Sequence, residues 1–354
     1  MMTRWPGRPE KGIIQMQYSR KSEPVRSFAL RRALWALLIC SALVCVAAPA
    51  ARAASAALWI VDDDNDRVDE YLPSQLKSSH TPTPLTVSIG AAPYGACFDK
   101  SHNLWVTDSD EEILGFTASE LKKLPTAPSP AVTISSSSFS SIFGCAFDKH
   151  GNLWLVDRNN DSLDEISTAQ LKAGGSITPA VIITDSVEIS SAAPGFVTFD
   201  KSGNLWMDGR EDDELFKFSA SQLTSTGDQT AAVVLGGGGS LDDPGQIGFD
   251  GHGNLWVTSY DDDTVVEFPK GQLSTSNNDA PTVTISSSSL YGPWGLAFHG
   301  SDLWVMDYSD VNAQEFTPGQ IKVTGSPAPK VLLTGAAAKY SWGITFGPAF
   351  GKLP

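Results

Sequence analysis

Cysteine and histidine are scarce in this chain of 354 residues, with four of the first and five of the second. Cys40 and Cys45 fall inside the one long apolar run, so only Cys97 and Cys145 serve the rest of the chain. A disulfide-dense small scaffold is therefore excluded. His80, His102, His150, His252 and His299 are scattered over turns, a loop and a strand end, which leaves no histidine-based metal set and no catalytic triad. Positive charge is also scarce beyond residue 53. Nine of the 25 basic residues and two of the 40 acidic ones lie in residues 1–53, leaving 16 against 38 and a formal charge of −22. Such a surface repels nucleic acid and anionic membrane and favours cations or basic partners.

The basic residues that do occur gather ahead of the apolar run. Residues 33–48 follow Arg31-Arg32 and lead to Ala51-Arg52-Ala53. Basic, apolar and small-x-small segments in that order describe a secretory signal peptide cleaved after Ala53. An uncleaved anchor helix is the competing reading of the same run. A start at Met16 instead of Met1 would shorten the long basic region. Residues 1–53 are expected to be a leader, and 54–354 one monomeric body, secreted or periplasmic, with no membrane span after cleavage.

A Leu-Trp pair recurs six times: Leu58-Trp59, Leu104-Trp105, Leu153-Trp154, Leu205-Trp206, Leu255-Trp256 and Leu303-Trp304, at steps of 46, 49, 52, 50 and 48 residues. A period in this range marks stacked blades or solenoid units. One period reads Gly95–Asp99, a turn at Asn103, Leu104–Asp108, an acidic loop, Ile113–Phe116 and Ala131–Ile134. Short runs rich in Val, Ile, Phe and Trp, separated by Gly, Asp, Asn and Ser, read as four antiparallel strands. Four strands per period make a propeller blade. A Gln-Leu or Gln-Ile pair follows the third strand in most periods, at Gln75, Gln170, Gln222, Gln272 and Gln320, in a segment that reads as one helical turn. The chain after the leader opens on a second-type strand, Leu58–Asp62, and ends on an orphan first-type strand, Gly343–Phe346. Joining them closes a ring of six blades. The expected fold is all-β: a six-bladed β-propeller of four-stranded antiparallel blades, shut by the C-terminal strand in the N-terminal blade.

The pattern Pro-x-Gly-x-x-Phe-Asp, a Gly-Asn turn, Leu-Trp-Val-x-Asp, an acidic loop and an apolar strand resembles the NHL repeat, most clearly from Pro93-Tyr94-Gly95 to Asp108. The resemblance spans residues 55–350 and implies first strands around a central channel. It implies no single activity, since propellers host scaffolds, binders and enzymes. Related lactonases hold a divalent metal with Glu, Asn and Asp at the channel mouth, and streptogramin lyases place a His before the first-strand glycine. Here those entries hold Tyr94, Phe143, Trp294 and Trp342, so neither set carries over.

Tyr94, Phe143, Phe196, Trp294 and Trp342 enter the first strands and are expected to form an aromatic collar at the channel mouth. Aromatic faces bind sugars, apolar ligands or cations; a hydrophobic plug is the plain alternative. Asp62, Asp108, Asp157 and Asp307 open the loops after the second strands, and carboxylates this dense could bind Ca2+ or simply cap turns. Cys97 and Cys145 occupy first strands of neighbouring blades, and the register leaves a disulfide and two separate thiols both open. The reading that follows is a non-catalytic exported module binding a small molecule, glycan or protein. A metal-dependent lactonase-like hydrolase and a structural envelope protein are the alternatives.

Overall fold

The computed structural model describes residues 56–185, 189, 192–336 and 341–351; the expected leader and cleavage site lie outside them. The described chain folds into six antiparallel sheets arranged as a six-bladed propeller. Blade 1 orders Ser341–Pro348, Ala56–Asp62, Arg67–Tyr71 and Leu85–Ser88, so both chain ends share one sheet. The closure register sets Leu58 against Phe346 and Val61 against Gly343. Blade 2 runs Pro93–Phe98, Leu104–Asp108, Glu112–Phe116 and Val132–Ser135. Blades 3 to 6 repeat this order, with first strands at Ile142–Phe147, Val197–Phe199, Pro244–Phe249 and Pro293–His299. The Gln-Leu segments are helical turns of three to six residues where they are regular at all, the longest being Thr168–Ala173.

The recurring tryptophan and the Phe of the Phe-Asp pair belong to one contact. Trp59, Trp105, Trp154, Trp206, Trp256 and Trp304 are all at most 5% exposed. Each meets, edge to face, the first-strand phenylalanine of the next blade: Phe98, Phe147, Phe199, Phe249, Phe298 and Phe346, with centroids 5.4–6.5 Å apart. T-shaped pairs place the ring edge on the partner's negative face. The sixth pair, Trp304–Phe346, joins blade 6 to the closing strand.

Two polar devices repeat beneath this core. In blades 2 to 5 the hairpin aspartate (Asp99, Asp148, Asp200, Asp250) accepts N–H bonds from the residues two and four further on and from the Asn side chain. That Asn carbonyl then accepts from the backbone that follows the third strand, as Asn204 does from Ala220. The repeated glutamine spans its own link: Gln75, Gln170, Gln222, Gln272 and Gln320 each donate to the carbonyl eight residues on. Blade 2 has Glu120 there, which cannot donate and instead pairs with Lys123. In blades 3 to 6, and from blade 1 back to blade 6, the braced link adds a short parallel bridge to the preceding blade's outer strand, as Gly175–Ser176 does on Ile134–Ser135. The link that carries Glu120 forms no such bridge among the described residues. The braced links thus cover sheet edges that would otherwise stay unpaired.

Candidate functional site

The register around the channel sorts the entry residues into two tiers. Gly95, Phe196, Gln246, Gly295 and Gly343 stand opposite the residue two beyond the second-strand tryptophan, and Tyr94, Trp294 and Trp342 stand one step earlier. Phe196 therefore does not share the collar position, which blade 4 gives to Gly195; it occupies the glycine tier below. That tier has to be small because the strands converge there. A Cβ on Gly144 would lie 2.6 Å from the Gly195 carbonyl. The two large exceptions fill the axis. Phe196 reaches across to Gly343, and the Gln246 amide donates to Ile344 O at 2.8 Å while its oxygen accepts from Ile344 and Leu296 N–H, both at 3.0 Å.

Above this plug the collar rings touch one another. Tyr94 stacks on Phe143 at 4.6 Å, and Trp342 meets Tyr94, Phe143 and Trp294 at 5.9, 5.4 and 5.7 Å. Phe196 meets Trp294 from below at 6.2 Å. Phe143 and Trp294 are buried, while Tyr94 and Trp342 are half-buried. All five expected residues are thus brought together, as a contiguous aromatic floor and not an open ring.

A further layer escaped the sequence reading. The residues four positions after the repeated tryptophan include Asp63, Arg158, Arg210, Tyr260 and Tyr308, and they lean over the floor. The Arg158 guanidinium lies 3.9 Å above Phe143 and that of Arg210 4.5 Å above Trp294. Tyr260 and Tyr308 contact Trp294. Asp63 accepts the Trp342 indole N–H at 2.9 Å. The common offset from tryptophan was the signal available, hidden because the residue type changes from blade to blade. Arg210 also forks onto Asp243 at 2.8 and 3.1 Å. Burial, with Arg210 close by, lowers the Arg158 pKa to about 10.

The four loop aspartates sit at one repeat position, buried, and turn toward their own backbone. Asp62 accepts from Asn65 and Arg67, Asp108 from the N–H of Asp110 and Glu112, Asp157 from Ser140 and Asn160, and Asp307 from Tyr291 and Asp310. Burial raises Asp108 and Asp307 to about 6 despite those bonds. Blade 4 shifts the device by one residue: Asp208 holds the N–H of Gly195 and Phe196, and burial lifts it to about 7. Among the described residues no three of His, Cys, Asp and Glu form a group that could hold a metal ion. Cys97 and Cys145 form a disulfide between the first strands of blades 2 and 3, with Cα atoms 6.0 Å apart.

No family model matches the chain, and no curated protein matches it. The NHL resemblance therefore rests on the repeat's own residues. Solved structures do match in shape. That of a nidogen/laminin complex aligns with a TM-score of 0.55 at 13% identity, over 83% of this chain and 99% of the other. A streptogramin B lyase aligns at 0.52 and 12% identity, over 82% and 84%. A protein of unknown function from Bacteroides caccae aligns at 0.52 and 9%, over 83% and 99%. At such identities the likeness is one of fold.

Proposed function

We propose that the protein is an exported, non-catalytic binding propeller that takes a cationic partner on its acidic, aromatic-floored face. The observation that carries this reading is that the half-exposed Tyr94 and Trp342 of the floor share their end of the blades with the exposed carboxylates of Asp64, Asp110 and Asp261, while the chain's own guanidiniums cover Phe143 and Trp294. A floor of this kind attracts cations through the ring faces, and the acidic rim raises their local concentration. At the collar positions themselves the ionisable group is the Tyr94 phenol, whose pKa burial raises, and the Asp63 carboxylate above it is engaged by the Trp342 indole. One of the similar structures comes from a complex between two proteins, nidogen and laminin, in keeping with this use of the fold. Export is supported by the order of segments in residues 1–53 and by the disulfide, which persists in oxidising compartments. Calcium, on this reading, would be held by the outer loop carboxylates, because the buried ones are engaged by backbone.

The test uses a fluorescent decalysine peptide and polarisation. Binding should weaken steeply as sodium chloride is added. Replacing the exposed Asp64, Asp110 and Asp261 by Asn should weaken it further, whereas Glu120→Gln and Asp302→Asn, at the other end of the blades, should not. Equal effects of the two sets would reduce the interaction to net charge and remove the site.

A further inference from the structure

The crevices between blades at the end opposite the acidic loops differ from one another at the register position that faces the repeated tryptophan. The residue paired with the repeated tryptophan across the second and third strands is Glu70, Glu165, Lys217, Glu267 or Glu315, and in blade 2 it is Gly115. Paired residues share a sheet face, so the long side chains lie beside the indole; the Lys217 ammonium lies 5.5 Å over Trp206. Gly115 leaves that place bare. The Trp105 ring leans into it, so that a Cβ there would come within 2.8 Å of the ring, and the indole N–H reaches Asp99 at 3.2 Å.

The crevice between blades 2 and 3 is correspondingly larger, about 420 Å³ against 340 Å³ between blades 5 and 6 and 280 Å³ between blades 4 and 5. Its volume falls in the range of small-molecule sites, roughly 300–1,000 Å³. Trp105, Phe147, Val132 and Leu171 supply its apolar walls. Lys100 and Lys172, both exposed, stand at its lip. Lys100 also donates to the Lys149 carbonyl across the crevice, which holds the ammonium there. The Asp99 carboxylate is already engaged by two backbone N–H groups, Asn103 and the indole. Two ammoniums stand against that one carboxylate, so the net charge an incoming group meets is positive.

We propose that this crevice binds a small aromatic anion, ring against Trp105 and Phe147, charge toward Lys100 and Lys172. The site is separate from the acidic face and does not depend on its function. Two dyes with the same fused rings test it: anilinonaphthalene sulfonate, which carries the charge, and phenylnaphthylamine, which lacks it. Gly115→Glu would restore the repeat but displace the indole, so the variants are placed at exposed positions. The folded protein should bind one equivalent of the sulfonate saturably. Thr168→Trp, at the mouth of the crevice, should abolish binding of both dyes. Lys172→Glu should weaken the sulfonate about fivefold and leave the neutral dye unchanged, and Lys322→Glu, at the crevice between blades 5 and 6, should affect neither. Absence of saturable binding, indifference to Thr168→Trp, or equal loss of both dyes in Lys172→Glu would overturn the proposal.

Discussion

A glutamine in five links and a glutamate in the sixth show how far one donor group shapes a blade. Gln222 accepts from the Ser219 N–H with its oxygen and donates to Thr230 O with its amide. Glu120 can do only the first kind of work, and its link lacks the parallel bridge that the others add to a neighbour. Gln222→Glu should therefore cost about 0.5–1.5 kcal/mol, the net worth of one hydrogen bond whose exposed carbonyl passes to water, seen as a lower urea midpoint at unchanged slope. Buried carboxylates act at the same scale. Burial raises Asp69, Glu70, Asp164 and Asp208 to about 7 in the folded chain, above the unfolded range near 4. The folded state then holds protons that the unfolded state releases between about pH 4 and 7. Their contribution is complete below the unfolded pKa and is lost as the pH rises through the folded one. Thermal melts should show a higher Tm at pH 5 than at pH 8, and Asp208→Asn should flatten that slope; a Tm that rises with pH over this interval would contradict the assignment.

Elements were the most legible level, and the reasons are physical. A missing first strand at one end and a spare one at the other leave a single way to satisfy both edges, and Ser341–Pro348 takes it. The tryptophan's burial was readable from its period, but its phenylalanine partner on the next blade was not, since the contact joins residues about 40 apart. That aromatic residues enter the first strands is legible from residue type; that they tile a floor in two tiers is not. The blade 4 entry reads Pro194-Gly195-Phe196, so its Phe stands where Pro-x-Gly has glycine, and residue type alone groups Phe196 with the aromatics one step above it. Gln246 gave no signal at all, because its role depends on Ile344, 98 residues away. Gln246→Ala should leave the Ile344 and Leu296 N–H groups buried without partners, a cost of about 2–4 kcal/mol. Hydrogen exchange should accelerate at Ile344 before it does at Ile60, as the closing strand loosens first. The disulfide closes a span of 48 residues, for which chain entropy assigns about 4 kcal/mol. Cys97→Ser with Cys145→Ser should lower stability by up to that amount while the tryptophan fluorescence spectrum stays native.

Across the whole molecule, charge is divided between the two ends of the strands. The loops after the second strands and the links into the first strands carry runs such as Asp62–Asp66, Asp108–Glu112 and Asp261–Asp263, relieved by Arg67, Arg158 and Arg210. Lys100, Lys149, Lys172, Lys201, Lys270 and Lys322 lie in turns and links at the other end. The acidic end therefore repels itself in the folded state, and any cation that gathers there stabilises it. Sodium chloride should raise Tm by screening alone. Calcium at equal ionic strength should raise it more, because a divalent ion is drawn more strongly between neighbouring loop carboxylates. The groups responsible should be exposed ones, since Asp62, Asp108, Asp157 and Asp307 already accept bonds from their own loops or nearby backbone. Asp64→Asn with Asp110→Asn should then shrink the difference between the two salts with little change in Tm without calcium. Asp108→Asn, by contrast, should lower Tm in either salt by removing a turn cap. If the salts act alike at matched ionic strength in the unaltered chain, the acidic end is a screened surface and calcium has no place on it.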